Sequence, residues 1–151
     1  MQDTQNISNT IFKFANSFDA KDWQGLKSVL ADPLTCDYMS LRGVIETLSS
    51  EDYVQKRISA LDHLRTQHFM SNLEVYLDTE DENQAHCRAL SMIYRNKDGV
   101  LFNTHAMYEF KLSKNKTELG SPWLIFWIKQ VVLWNDGDPF LHSGAKAAQG
   151  S

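Results

Sequence analysis

The chain has 151 residues, 42% hydrophobic and 23% charged, the size and composition of one ordinary globular domain. Its formal net charge is −4 and its Lys and Arg residues are scattered, so it lacks the basic cluster that nucleic-acid binding requires. Two cysteines, Cys36 and Cys87, make neither a disulfide framework nor a metal site. The N-terminus MQDTQNISNT has no apolar signal segment, and no apolar run approaches the ~20 residues of a membrane span. A cytoplasmic protein with no nucleic-acid or membrane partner is expected.

In the first third, Ile7, Ile11, Phe14, Ala15 and Phe18 recur at helical spacing and form one apolar stripe. Asp19-Ala20-Lys21 breaks the pattern. Asp22 then reads as the N-cap of a second helix carrying Trp23, Leu26, Val29 and Leu30, stopped by Pro33. Leu34 to Ser40 reads as a short strand. Ser49-Ser50-Glu51-Asp52 resembles a capping box opening a third helix, which runs through about Leu61.

From Thr66 the period changes to two. Thr66–Leu77, Ala85–Arg95, Phe102–Leu112 and Trp123–Trp134 read as long strands, with turns at Asp81-Glu82-Asn83, Lys97-Asp98-Gly99 and Lys114–Ser121. Helices followed by consecutive strands predict an α+β domain over residues 1–142, an antiparallel sheet with helices on one face. The small, polar segment 143–151 reads as a flexible tail. The last strand, WLIFWIKQVVLW, is apolar on both faces and must be covered on both. Helices can cover one; another subunit is expected on the other, giving a homo-oligomer through the outer sheet face.

Two residues stand out as chemistry. Asp19 sits where the first helix ends, a carboxylate facing the negative end of the helix dipole. It either shapes the turn or points between helices and sheet, where it could fix a histidine's tautomer. His68 shares a strand face, by alternation, with Thr66, Met70 and Asn72, while Phe69, Leu73 and Val75 point the other way. A strand histidine is either a hydrogen-bonded core residue or a proton carrier suited to neutral pH. His105 is a second candidate; His63, His86 and His142 read as surface residues. There is no His-x-x-x-His, Cys-x-x-Cys, Gly-rich phosphate loop or Gly-x-Ser-x-Gly elbow. Any chemistry is expected to be acid–base catalysis with no metal and no organic cofactor.

Ser17-Phe18-Asp19-Ala20-Lys21-Asp22-Trp23, then Cys36-Asp37-Tyr38, then Leu64-Arg65-Thr66-Gln67-His68-Phe69 resemble scytalone dehydratase in order and spacing, as do Trp123, Lys129 and Trp134. The resemblance runs from Phe14 to Trp134 and extends to the wider NTF2-like superfamily with its SnoaL-like cyclases and isomerases. It implies an NTF2-like cone: a curved, mostly antiparallel sheet packed on three N-terminal helices and enclosing a pocket. It also implies a cofactor-free dehydratase acting on a hydroxy-ketone, with trimeric or dimeric assembly. Carried over, Asp19 matches the family aspartate, Tyr38 its second tyrosine and His68 its first histidine, making these three the expected catalytic set. Phe18 replaces the first tyrosine. Met92 falls near the second histidine, with one residue of slack, and His105 and Met107 near the Ser and Asn. Phe18, Trp23, Met70, Met92, His105 and Met107 are therefore expected to bind substrate; whether Asp136–His142, with Phe140, closes over the pocket as a lid is left open by the sequence. An isomerase or cyclase on a polyketide or terpenoid, or a non-catalytic small-molecule-binding protein, is the alternative. A pocket filled by side chains, or Asp19 and His68 pointing outward, would favour the last.

Overall fold

In the computed structural model, which describes residues 2–142, the first apolar stripe becomes helix α1, Gln2–Ala20, burying Ile7, Ile11, Phe14 and Phe18. The expected tail, 143–151, lies outside the described residues. Helix α2 spans only Trp23–Lys27, capped by the Asp22 carboxylate, which accepts from the Gly25 N–H at 2.9 Å. It is shorter than expected because Leu30 already belongs to strand β1, Leu30–Tyr38, where it pairs with Ile125. Pro33 therefore lies inside a strand and does not stop a helix.

Two short elements were not legible in the pattern. One helical turn, α3 (Met39–Arg42), and strand β2 (Val44–Leu48) return the chain against β1, with Gly43 at φ 75° supplying the left-handed residue between them. Helix α4, Ser50–Leu61, starts where expected, and its N-cap Ser49 Oγ accepts from the Asp52 N–H at 3.1 Å. Then come β3 (Arg65–Leu77), β4 (Gln84–Lys97), β5 (Val100–Lys114) and β6 (Trp123–Gly137), and a 3-10 turn at Pro139–Leu141.

The strands form one sheet in the order β2-β1-β6-β5-β4-β3, with β1 parallel to β6 and every other pair antiparallel. This is the expected curved, mostly antiparallel α+β architecture. Alternation decides what faces the helices: Cys87, Ser91, Ile93 and Arg95 from β4, and Phe102, Thr104, Tyr108 and Phe110 from β5. No helix among the described residues is long and apolar enough to cross a membrane.

A bulge in β3 corrects one expectation. The β3–β4 register shifts between Ser71 and Glu74, and Asn72 adopts φ 53°. The extra residue reverses the phase of the strand. His68 and Met70 face the helices as expected, but so do Leu73 and Val75, which pack on the core while Asn72 is exposed. The β5–β6 register also shifts, between His105 and Ala106 and between Lys111 and Leu112.

Candidate active site

The site begins at the carboxyl end of α1. Lys21, at φ 51°, ends the helix, with the Asp22 N–H bonded to the Ser17 carbonyl at 2.9 Å. That turn sends the Asp19 side chain to the start of β3. There Asp19 Oδ2 accepts the His68 backbone N–H at 2.6 Å, and Oδ1 accepts the Thr66 hydroxyl at 3.0 Å and meets His68 Nδ1 at 2.7 Å. Three donors thus offset the unfavourable placement of a carboxylate at a helix C-terminus. The imidazole lies on the Phe18 ring, centroids 4.8 Å apart and planes 21° from parallel.

Burial pushes the His68 pKa below its ordinary value. Asp19 opposes that shift and the nearby Arg95 charge adds to it. His68 is therefore neutral near pH 7. With Nδ1–H donated to Asp19, the nitrogen left for chemistry is Nε2 as a base.

His68 lines a cavity between helices and sheet, shared with Phe14, Phe18, Tyr38, Tyr53, Ile93, Tyr108 and Gln130. Tyr38 and Tyr53 bond through their hydroxyls at 2.7 Å, and Gln130 Nε2 donates to the Tyr108 hydroxyl at 2.8 Å. Burial raises the Tyr38 and Tyr53 pKa values well above the usual phenol range and Tyr108 to about 12, so all three keep their protons and can donate. The cavity is small, with about 30 Å³ open. That accommodates a water molecule but not a ring, so a substrate enters only if lining side chains move. Of the two features set out from the sequence, the filled pocket favours the non-catalytic binding reading, while the inward-facing His68 held by Asp19 favours the catalytic one.

The expected residues divide. Asp19, His68, Phe18 and Tyr38 come together. Trp23 packs edge-on against Phe18 at 6.4 Å but lines a different feature, an open groove of about 830 Å³ between α2, α4 and the β5–β6 loop. That groove is far larger, yet it holds neither His68 nor Asp19, so the small cavity is the better candidate. Met70 packs on the core without lining the cavity.

Met92, His105 and Met107 must be corrected: all three lie on the outer sheet face. Met92 pairs with His105, whose ring stacks on Trp134 at 4.1 Å and whose Nε2 lies 3.0 Å from Asp136 Oδ2. Because a strand has period two, the one residue of slack in placing Met92 separates the two faces; Ser91 and Ile93 point inward. In the segment after β6, Phe140 is 82% exposed and does not line the cavity, whereas His142, expected at the surface, is corrected: it is 5% exposed and lines the cavity.

Three arginines were missed. Arg57 of α4 and Arg95 of β4 are 5% and 2% exposed, and half-buried Arg42 of α3 joins them at the cavity. Arg57 lies over the Tyr38 and Tyr53 rings at 5.6 and 5.2 Å. Arg95 lies over Phe102 at 5.0 Å and donates from Nη1 to Thr104 Oγ1 at 2.8 Å. Burial lowers the Arg95 pKa to about 10, still charged at neutral pH. The signal was present: Arg57 falls on the helical stripe of Tyr53 and Leu61, and Arg95 in the alternating phase of Ser91 and Ile93.

The SnoaL-like domain family matches residues 1–125. Scytalone dehydratase arp1 of Aspergillus fumigatus is 30% identical over 143 residues, covering 86% of this chain and 82% of its own. Among solved structures, the Kfla4162 protein of Kribbella flavida superimposes with a TM-score of 0.81 at 19% identity, covering 93% of this chain and 96% of its own. Hexachlorocyclohexane dehydrochlorinase LinA-type3 of Novosphingobium barchaimii does so with a TM-score of 0.69 at 10% identity, covering 91% and 90%. At those identities the structures share the fold alone, whereas the sequence matches over most of the chain place it in a family: this protein belongs to the SnoaL-like, NTF2-like proteins and is a homologue of the scytalone dehydratases.

Proposed function

We propose that the chain is a lyase that removes water from a small aromatic or polyketide-type hydroxy-ketone, with His68 as its proton carrier and no cofactor. The observation that carries this reading is the Asp19–His68 contact of 2.7 Å, which holds a neutral imidazole against the cavity with Nε2 uncommitted. Similarity to a scytalone dehydratase supports the reaction class.

Nε2 takes the proton alpha to the carbonyl, and the C–H electrons form an enolate. The Tyr38–Tyr53 pair has two hydroxyl protons and uses one internally, leaving one to donate to the carbonyl oxygen. The enolate collapses, the β C–O bond breaks, and Nε2–H returns its proton to the departing hydroxyl. Water and a conjugated double bond result, and His68 is neutral again. General acid–base groups of this kind contribute about 10²–10⁴ in rate. Returning the proton to a different carbon would instead be isomerisation, which analysis of the product distinguishes. The test is water loss from hydroxy-ketones, scytalone first, followed by absorbance. Native activity that vanishes in folded His68→Ala supports the reading; activity that persists in that variant refutes it.

The outer face exposes Phe69, Leu90, Met92, Tyr94, Val131 and Trp134, apolar side chains on neighbouring strands. This supports the further proposal that copies of this chain cover one another there, as a trimer or dimer.

A further inference from the structure

The charge in the cavity is of one sign. Arg57 and Arg95 are each more than nine-tenths buried, and Arg42 stands beside them. Among the described residues no carboxylate forms an ion pair with any of the three, although six other pairs form elsewhere. Their Nε atoms are buried without a hydrogen-bond partner. Asp19, the carboxylate nearest His68, is fully engaged by Thr66 and His68. Buried charges are ordinarily paired, since removing an ion from water is costly. Aromatic faces recover part of that cost, and Arg95 Nη1 has Thr104 as a neutral partner, but neither supplies a counter-charge.

From this cluster we infer that the cavity takes an anionic ligand, and that the substrate is a hydroxy-ketone bearing a carboxylate that seats on Arg57 and Arg95. The guanidinium fork matches a carboxylate with two parallel N–H···O bonds, and two such groups, Arg57 of α4 and Arg95 of β4, line the same cavity. Phe14, Phe18 and Ile93 supply apolar walls for a flat ring. Arg95 and His68 line the same cavity, so a carboxylate held by Arg95 keeps the rest of a small substrate in the space that His68 faces. The inference rests on the acid–base reading for the word substrate; anion binding itself does not.

The experiment is calorimetric titration of the full chain with benzoate against benzamide at fixed ionic strength, with acetate against acetamide as a smaller pair. Benzoate or acetate should bind roughly tenfold or more tighter than its neutral partner, the preference that charge-assisted hydrogen bonds provide. Arg57→Met and Arg95→Met should each reduce it, and Arg95→Lys, which keeps the charge and the fold, should retain part. His68→Ala should leave it intact, so failure of the catalytic reading is distinguished from failure of this one. Carboxylates that bind no tighter than their amides, or a preference that survives both Arg→Met substitutions, would overturn the inference.

Discussion

Replacing Asp19 by Asn removes the residue that joins α1 to β3 and sets the histidine's tautomer. The Asp19 carboxylate accepts three hydrogen bonds, from Thr66 Oγ1, His68 N–H and His68 Nδ1. An amide of the same shape has one oxygen, and its NH₂ cannot accept, so at least one His68 donor loses its partner. Hydrogen bonds to a charged group contribute about 1.5–3 kcal/mol each, and an unmet buried donor adds desolvation cost; about 2–3 kcal/mol is therefore lost. For a chain of this size that lowers Tm by about 5–10 °C. The imidazole, no longer held as Nδ1–H, can place its hydrogen on Nε2, where it accepts no proton. Activity should fall by about 10²–10⁴. Differential scanning calorimetry reads the first effect, steady-state kinetics the second, and imidazole ¹⁵N shifts the tautomer. An Asn variant with native Tm and native turnover would refute the reasoning.

Stability should fall with acid on account of His68. Its folded pKa lies below the unfolded value of about 6.5, so above that pH both states are neutral and its contribution is fully present. As pH drops below about 6.5 the unfolded chain takes up the proton first, and the contribution is lost through the folded pKa. Urea midpoints between pH 8 and 5 should fall more steeply for the native protein than for folded His68→Gln. Phe18→Ala removes the ring that packs on His68, Phe14 and Trp23, costing about 3–5 kcal/mol in chemical denaturation. His105→Ala, on the far side of the sheet, should leave turnover unchanged; a large loss would place chemistry on that face. Leu90→Lys should reduce the mass measured by light scattering to that of one chain, while an unaltered mass would leave the outer face without a role in assembly.

The long strands and the first helix were legible because one face of each is buried, and burial imprints a period on the sequence. Asp19 and His68 stood out from position and alternation and Tyr38 from the resemblance; Asp19 contacts His68, and His68 and Tyr38 line one cavity. What failed turned on single residues. A one-residue slip in β4 moved Met92 inward, and a bulge at Asn72 reversed the second half of β3. The short β2 and α3 leave too few residues for a period to emerge. Val29 and Leu30 suit helix or strand equally and were decided by pairing with β6, a long-range contact no local pattern contains. Arg57 and Arg95 were overlooked because charged residues are presumed solvated, although both sat in the buried phase of their elements.

Water loss from scytalone and from carboxylated aromatic hydroxy-ketones, measured for native protein and for His68→Ala of unchanged circular dichroism, decides most directly whether the imidazole held by Asp19 carries the proton. Turnover by the native chain and none above background in the variant is the expected result. Turnover by the variant at the native rate would contradict it.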